Sequence, residues 1–461
     1  MLQCISPIDD SVYVERPYAD DAAIEQALNS AQQAAQAWKT VSLEDRTALC
    51  EKFIEAFVAK SEVIAEELAH QMGRPIQYGP GEVRGFEDRA RCMINLAPEA
   101  LADIELPQQE GLTRFIRRVP VGVVLTVAPW NYPLLTAVNS IIPALMAGNA
   151  LILKHSHQTP LCGERMVEAG IEAGLPEGLF QNLHLSREQT SAIIQSPIIG
   201  AVAFTGSVPG GAEMEKAAAG RFIPVGLELG GKDPAYVRAD ADLNFAVENL
   251  VDGSFFNSGQ SCCGIERIYV HADLYDQFVE GFVEMTKSYI LGSPLDPATT
   301  LGPMVRTSAA EYVRGQIAEA VEAGAKSLVD PALFPANAEG TPYLAPHVLV
   351  DVDHSMRVMT EESFGPVVGI MKVTSDDEAI ALMNDSDLGL TASIWSANVY
   401  EALALGDRVE AGTVFLNRCD YLDPELAWTG VKNTGRGVSL SRLGYDQLTR
   451  VKSYHYRTNI G

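Results

Sequence analysis

The sequence predicts an α/β protein of two domains, and three observations carry that prediction. From Val121 to Ala219, short and almost wholly apolar segments alternate with longer amphipathic ones. This is the pattern of parallel strands covered on both faces by helices. A second series of the same kind begins after Leu227-Glu-Leu-Gly-Gly231, which places a junction near residue 230. At 461 residues the chain is also too long for one simple core.

The elements follow in order. Between Asp20 and about Met72, Ala22, Ile24, Ala27, Leu28, Ala31, Ala34, Ala35 and Trp38 recur at helical spacing, and Leu49, Phe53, Ile54, Phe57, Ile64 and Leu68 do so again. Gly73-Arg-Pro75 ends the run, and a further helix covers Gly81 to about Leu101. Thr113–Pro120 reads as an exposed strand ribbon. Strand Val121–Ala128 is followed by a Pro-bounded turn and an apolar helix, Leu134–Ala147. Strands Ala150–Leu153, Phe180–Leu185 and Ile199–Phe204 then alternate with helices Pro160–Ala173, Glu188–Gln195 and Gly211–Ala219. In the second series, strands Pro234–Val237 and Arg267–Val270 alternate with helices Leu243–Phe256 and Leu274–Tyr289. Helix Ala310–Ala323 and strands Val367–Met371, Leu390–Trp395 and Thr413–Leu416 complete it. No fixed-period repeat or low-complexity tract is found.

Apolar residues make up 47% of the chain and charged ones 20%, enough for a large core. The formal charge of −26, from 60 acidic and 34 basic residues, excludes a nucleic-acid binder, which needs clustered cations. No apolar run is long enough to span a bilayer, and Met1-Leu-Gln-Cys-Ile-Ser-Pro lacks the basic and apolar regions of a signal peptide. The seven cysteines are scattered, without a CxxC pair. The expectation is a soluble, cytoplasmic protein in a reducing compartment, with no nucleic-acid or membrane partner and no metal site.

Five local features carry chemistry. The first is Asn257-Ser-Gly-Gln-Ser-Cys262-Cys263, where Gly259 permits a tight turn and a thiol follows among small polar neighbours. Cysteines are most often buried and inert, yet this polar setting suits a nucleophile given a base or a stabilising environment. The second is Glu228, flanked by Leu227 and Leu229 before Gly230-Gly231. A partly desolvated carboxylate there suits a general base, although a surface glutamate at a strand end is the plainer reading taken alone. The third is Pro129-Trp130-Asn131-Tyr132-Pro133 at the end of a buried strand. Parallel sheets place ligand contacts there, and an Asn amide can donate to an oxyanion; a rigid turn with a packed Trp is the alternative. The fourth, Phe204-Thr205-Gly206-Ser207, opens a helix whose free N–H groups favour a pyrophosphate, although it is not GxGxxG. The fifth is Glu361-Glu362-Ser363-Phe364-Gly365-Pro366, whose carboxylates suit ribose hydroxyls or, on spacing alone, a solvated turn.

Taken in chain order, Pro129–Pro133, Lys154, Phe204–Ser207, Glu228–Lys232, Gly259–Cys262, Glu362–Pro366, Asn417 and Gly430–Gly435 resemble the motifs of the aldehyde dehydrogenase superfamily. The resemblance spans about Ser6 to Lys452 and is nearest to short, bacterial semialdehyde-dehydrogenase-like members. It implies a Rossmann-type cofactor domain (1–101 and 121–229), an α/β catalytic domain (230–430) and a β oligomerisation element (102–120 and 445–461), in a homodimer or homotetramer. It further implies that Cys262 attacks an aldehyde to give a thiohemiacetal, whose oxyanion Asn131 and the Cys262 N–H hold. Hydride passes to NAD or NADP, and Glu228 activates the water that hydrolyses the thioester. Glu362 would bind the nicotinamide ribose with Phe364 nearby, Trp130 and Ser207 the pyrophosphate, and Lys154 the adenosine ribose. Thr205, Gly206 and Leu229 would complete the cofactor surface.

Two departures from the family pattern bear on specificity. Where many members read Lys-Pro-x-Glu, this chain reads Lys154-His-Ser-His157. The family glutamate repels a 2′-phosphate; His157 does not, and when protonated attracts one, so NADP is expected to be tolerated or preferred. Where other members carry a second glutamate, the chain has Gly435-Arg436-Gly437, which leaves Glu228 alone to support deacylation. Tyr132, Asn139, Ser261, Cys263 and Arg418 fall where the family lines its substrate tunnel. Asn139 and Arg418–Asp423 are polar there and point to a polar or charged aldehyde, with Arg418 placed to meet a substrate carboxylate or to form a structural salt bridge. Cys263 reads as a spectator rather than a redox guard, since a vicinal disulfide is strained. The competing functions are a CoA-acylating dehydrogenase, against which Glu228 argues, and a silent binding or structural protein on the same fold.

Overall fold

The computed structural model describes residues 1–460, and its architecture follows from where the apolar strands can hide. Five of them stack in parallel in the order Val225–Glu228, Ile199–Thr205, Val123–Val127, Ala150–Lys154, Phe180–Asn182. Gly435–Arg436 caps the Val225–Glu228 edge antiparallel. The chain starts at Val123–Val127, moves outward through Ala150–Lys154 and Phe180–Asn182, and only later adds Ile199–Thr205 on the other side. Strand order therefore reverses between Val123–Val127 and Ile199–Thr205, and parallel sheets open a ligand crevice beyond such a point.

Helices Asp21–Trp38, Leu43–Val58, Ser61–Met72 and Gly79–Ala100 pack on or beside this sheet. Asp20 caps the first by accepting from Ala23 N at 2.8 Å, and Ser42 the second by accepting from Asp45 N at 3.1 Å. The apolar stripe read from the sequence lies in the core: Phe53, Phe57, Phe86 and Trp38 are buried, and the Trp38 indole donates to the Leu145 carbonyl at 2.8 Å.

The second sheet runs Lys326–Ser327, His347–Val350, Val367–Val373, Ile265–His271, Asp233–Val237, Thr391–Trp395, Thr413–Leu416, parallel except at its first strand. A separate three-stranded antiparallel ribbon joins Ile104–Glu105, Leu112–Pro120 and Thr449–Arg457. Several elements depart from the sequence expectation. Phe180–Leu185 contains only the strand Phe180–Asn182, and the helix expected over Leu274–Tyr289 is Tyr275–Thr286. Helices Asp376–Asn384 and Val399–Gly406 were not anticipated, being short and without a long periodic stripe. The hairpin Leu2–Ile5/Val12–Arg16 gave no signal either, for its strands are brief and half exposed.

Between the two large sheets the chain has only Leu229–Lys232 with which to cross. A Cβ on Gly231 would stand 2.4 Å from the Cys262 carbonyl oxygen and 2.6 Å from Asp233 Oδ1, so this position tolerates no side chain. Gly315, inside helix Thr307–Glu322, has nothing within 4 Å. Thermal unfolding should separate the two: Gly231→Ala is expected to lose about 1–3 kcal/mol through overpacking, and Gly315→Ala to be neutral or to gain up to about 1 kcal/mol.

Candidate active site

The thiol loop begins where helix Leu243–Phe255 stops. Asn257, Ser258 and Gly259 all take positive φ, at 54°, 57° and 69°. Such backbone costs about 1–3 kcal/mol per strained residue and persists only where its surroundings fix it. Here Ser258 Oγ donates to the Gly302 carbonyl at 2.7 Å, the Val305 N–H donates to Gln260 Oε1 at 2.8 Å, and Gln260 Nε2 donates to the Asn257 carbonyl at 3.1 Å. A Cβ on Gly259 would lie 2.2 Å from the Gly365 carbonyl oxygen, so glycine is required on both counts. The loop delivers Cys262, half-buried and free, to the space between the sheets.

Asn131 arrives from the other side, past the end of strand Val123–Val127. It is 5% exposed, and its Nδ2 donates to the Gln260 carbonyl over a long 3.3 Å. Its own carbonyl accepts from Arg74 Nη2 at 2.7 Å and from Asn257 Nδ2 at 3.2 Å. Arg74 is ion-paired to Glu82, their side chains 2% and 1% exposed, and Glu82 accepts from the Leu134 N–H at 2.9 Å. One buried ion pair thus ties the Asn131 turn, the start of helix Pro133–Met146 and the thiol loop together. Asn257 and Gln260 belong to the thiol motif read from the sequence, whereas Arg74 and Glu82 were not singled out. The mark of that pair is a buried charge, which is rare and which sequence alone does not reveal.

Glu228 ends its strand with its carboxylate accepting from Thr205 Oγ1 at 3.2 Å and from Ser439 Oγ. Burial pushes this carboxyl above its ordinary value, and the two hydroxyls with the nearby Arg89 cation partly oppose the shift. A base held so, partly desolvated yet still ionisable, suits proton abstraction from water. Thr205, expected at the cofactor surface, lines the groove described below and also holds Glu228 through its hydroxyl. Gly437, standing where other family members place a second glutamate, has φ 92°, and a Cβ there would meet Gln447 Oε1 at 2.6 Å. A side chain there would have to displace that amide.

Two cavities open at this point, and the residues common to both are Cys262 and Glu228. One, of about 430 Å³, is walled by Trp130, Asn131, Gly206, Ser207, Leu229 and Glu362, with Phe364 and Thr205 beside them. Ser207, in the wall, caps helix Val208–Ala218 by accepting from Gly210 N at 3.3 Å, so the start of that helix borders this groove. Trp130 and Phe364 meet edge to face, centroids 5.7 Å apart. Glu362 Oε1 accepts from Gly231 N at 3.1 Å; burial, with Glu266 nearby, pushes its carboxyl up to about 7. Lys232 and Glu266 form a buried pair behind it, and Glu266 accepts from Ser363 N and Phe364 N, each at 2.8 Å. A groove with a helix start, an aromatic corner and the Glu362 carboxylate, with Glu228 at its inner end, fits a dinucleotide.

Lys154 and His157 lie outside the walls of this groove. Burial lowers the Lys154 ammonium to about 8, with the Arg187 cation adding to the shift. The His157 Nε2 is hydrogen-bonded to the Leu185 carbonyl at 2.9 Å, and burial depresses its basicity, which weakens the attraction for a phosphate that protonation would give it.

The other cavity, of about 310 Å³, is lined by Tyr132, Asn139, Ser261 and Cys263 as well as by Arg89 and Asp420. Asp420 accepts from Ser261 Oγ at 2.6 Å and from Cys263 Sγ at 3.1 Å. The neighbouring Cys262 side chain, then burial and the Asp420 carboxylate, push the Cys263 thiol well above its ordinary value, beside the more open Cys262. Arg418 is also corrected: it does not line the cavity, because its guanidinium stacks over the exposed Tyr421 ring, 3.4 Å from the centroid. The basic residue in the wall is Arg89, which the sequence reading passed over. Its mark was a charge amid Val83, Phe86, Ala90, Met93 and Ile94, the apolar stripe of its helix.

The model of the aldehyde dehydrogenase family matches residues 1–454. An NADP-dependent succinate-semialdehyde dehydrogenase of Mycobacterium avium is 36% identical over 403 residues, covering 86% of this chain and 84% of that protein. A betaine aldehyde dehydrogenase of Agrobacterium fabrum is 32% identical, over 99% of this chain and 92% of its own. Among solved structures, the succinic semialdehyde dehydrogenase of Streptococcus pyogenes in complex with NADP+ superposes with a TM-score of 0.94 at 29% identity, covering 99% of this chain and 100% of that one. With two cavities converging on a thiol and a carboxylate, and with likeness along its whole length, this chain belongs to the aldehyde dehydrogenase family.

Proposed function

We propose that the protein oxidises a polar aldehyde to its carboxylic acid with NAD or NADP, by way of a thioester on Cys262 that water hydrolyses. The observation that carries this reading is that Cys262 and Glu228, remote in sequence, stand together where a substrate cavity meets a dinucleotide groove. A semialdehyde is the substrate favoured by the M. avium and S. pyogenes relatives.

The Cys262 sulfur adds to the aldehyde carbon, and the carbonyl oxygen becomes an oxyanion within reach of the Asn131 amide and the Cys262 N–H. The long Asn131–Gln260 bond of 3.3 Å leaves that amide readily redirected. Trp130, Ser207, Leu229, Glu362 and Phe364 hold the dinucleotide, which when bound supplies the hydride acceptor. Glu228 then takes a proton from water; the water oxygen adds to the thioester carbon, the C–S bond breaks, and the acid leaves as the thiolate returns. Because Glu228 opens on both cavities, it supports hydrolysis rather than transfer to CoA. Lys154, with no acidic residue at position 157, supports acceptance of NADP beside NAD.

The ribbon of Leu112–Pro120 and Thr449–Arg457 leaves Val451 and Tyr456 exposed, as do the edge strand Thr413–Leu416 at Val414 and the adjoining helix at Tyr400 and Leu403. These apolar surfaces support assembly as a homodimer or homotetramer. All seven cysteines are free, in keeping with a reducing, cytoplasmic setting.

Rapid mixing of Glu228→Gln with aldehyde and cofactor should give a burst of NAD(P)H followed by turnover slowed roughly 10²–10⁴-fold, without rescue by CoA. Steady-state rates near wild type would contradict the base assignment. Cofactor affinity should depend on pH through Glu362, whose ionised carboxylate accepts ribose hydroxyls. Protonation below about 7 removes that acceptor, so both NAD and NADP should bind more weakly at about pH 6 than at about pH 8. Fluorescence titration should show this slope in the wild type and its loss in Glu362→Gln.

A further inference from the structure

Arg89 sits in the wall of the substrate cavity with only 8% of its surface exposed. Among the described residues no carboxylate lies within ion-pair distance of it, which is unusual for a buried guanidinium. Its Nη1 donates to the Leu135 carbonyl at 2.7 Å and to Asn139 Oδ1 at 3.3 Å. A guanidinium carries five N–H donors, and Nε and Nη2 make no hydrogen bond to any described residue. Those two bonds clamp the arginine to helix Pro133–Met146 and leave one edge of the fork unused. The other charges of the cavity are engaged or peripheral: Asp420 is held by Ser261 and Cys263, Glu228 by Thr205 and Ser439, and Asp88 and Asp252 are exposed.

We propose that Arg89 determines specificity by binding a carboxylate carried by the aldehyde substrate, an inference that rests on the aldehyde-oxidising reading above. A planar fork with two adjacent free donor groups matches a carboxylate in bidentate geometry. Its anchoring to Leu135 and Asn139 means that little side-chain entropy is lost on binding. The substrate supplies the missing counter-charge while Cys262, in the same cavity, receives the carbonyl carbon. A positively charged aldehyde meets the opposite field.

The test compares wild type, Arg89→Lys and Arg89→Met on succinic semialdehyde, on butanal and on betaine aldehyde, with kcat and KM resolved separately. Wild type should favour succinic semialdehyde over both others. Arg89→Met should lose roughly 10- to 100-fold in kcat/KM on succinic semialdehyde, mainly through KM. Its loss on butanal should be several-fold smaller than on succinic semialdehyde, and an unchanged circular-dichroism spectrum shows that the variant folds. Arg89→Lys should fall between the two. Equal losses on succinic semialdehyde and butanal, or a wild-type preference for betaine aldehyde, would overturn the proposal and leave Arg89 a support for Asn139 and Glu228. Absence of NAD(P)H formation from all three aldehydes in the wild type would overturn the aldehyde-oxidising reading itself.

Discussion

The short crossing from Leu229 to Lys232 is the constraint on which the site depends. Glu228 is the last residue of one parallel sheet and Asp233 the first of the next. Gly230 runs against the Glu362 carboxylate, where a Cβ would stand at 2.4 Å, and Gly231 runs against the Cys262 carbonyl. Joining the two sheets over so few residues brings Glu228, Glu362 and Cys262 into one volume. The crossing is pinned at both ends: the Leu229 N–H donates to the Thr434 carbonyl at 2.9 Å, while Asp233 accepts from the Thr391 N–H at 3.1 Å and from its hydroxyl, and Lys232 pairs with buried Glu266. Removing one partner of such a pair leaves an uncompensated buried charge, which costs about 3–5 kcal/mol. The junction is therefore stiff where the chemistry needs fixed positions.

The Arg74–Glu82 pair does for the oxyanion side what Lys232–Glu266 does for the cofactor side. Through Arg74, the loop after helix Ser61–Met72 reaches both the Asn131 carbonyl and, at 3.4 Å, the Asn257 amide oxygen. Arg74 also lies over the Tyr132 ring, 4.7 Å from its centroid. Glu82 in turn fixes the first turn of helix Pro133–Met146 through the Leu134 N–H. With the Asn131 backbone held this way, the proposed oxyanion contact requires only that its side-chain amide turn from the Gln260 carbonyl. The same stiffness allows Asn257 and Ser258 to keep their left-handed backbone without regular secondary structure to support it.

Much of this was legible in the sequence. The alternation of apolar strands and helices gave the parallel sheets, since a strand buried on both faces must be apolar throughout. Cys262, Glu228, Asn131 and Glu362 stood out because each lies next to a glycine, proline or strand end that shapes backbone geometry. What remained hidden were residues defined by a distant partner. Arg74 looks like any loop arginine until folding removes it from water, and Arg89 is marked only by its place in an apolar helix stripe. Ser439 acquires a role only because Gly435–Arg436 pairs with Val225–Glu228. Arg418 misled for the converse reason: it has the right charge, yet a local contact with Tyr421 occupies it.

The central claim is a covalent acyl group on one sulfur of a vicinal pair, and site-resolved mass spectrometry addresses it most directly. Glu228→Gln enzyme mixed with succinic semialdehyde and NADP, quenched in acid and fragmented through the Cys262–Cys263 peptide, should carry the succinyl mass on Cys262 alone. An unmodified peptide after NADPH has formed, or the acyl mass on Cys263, would contradict the account.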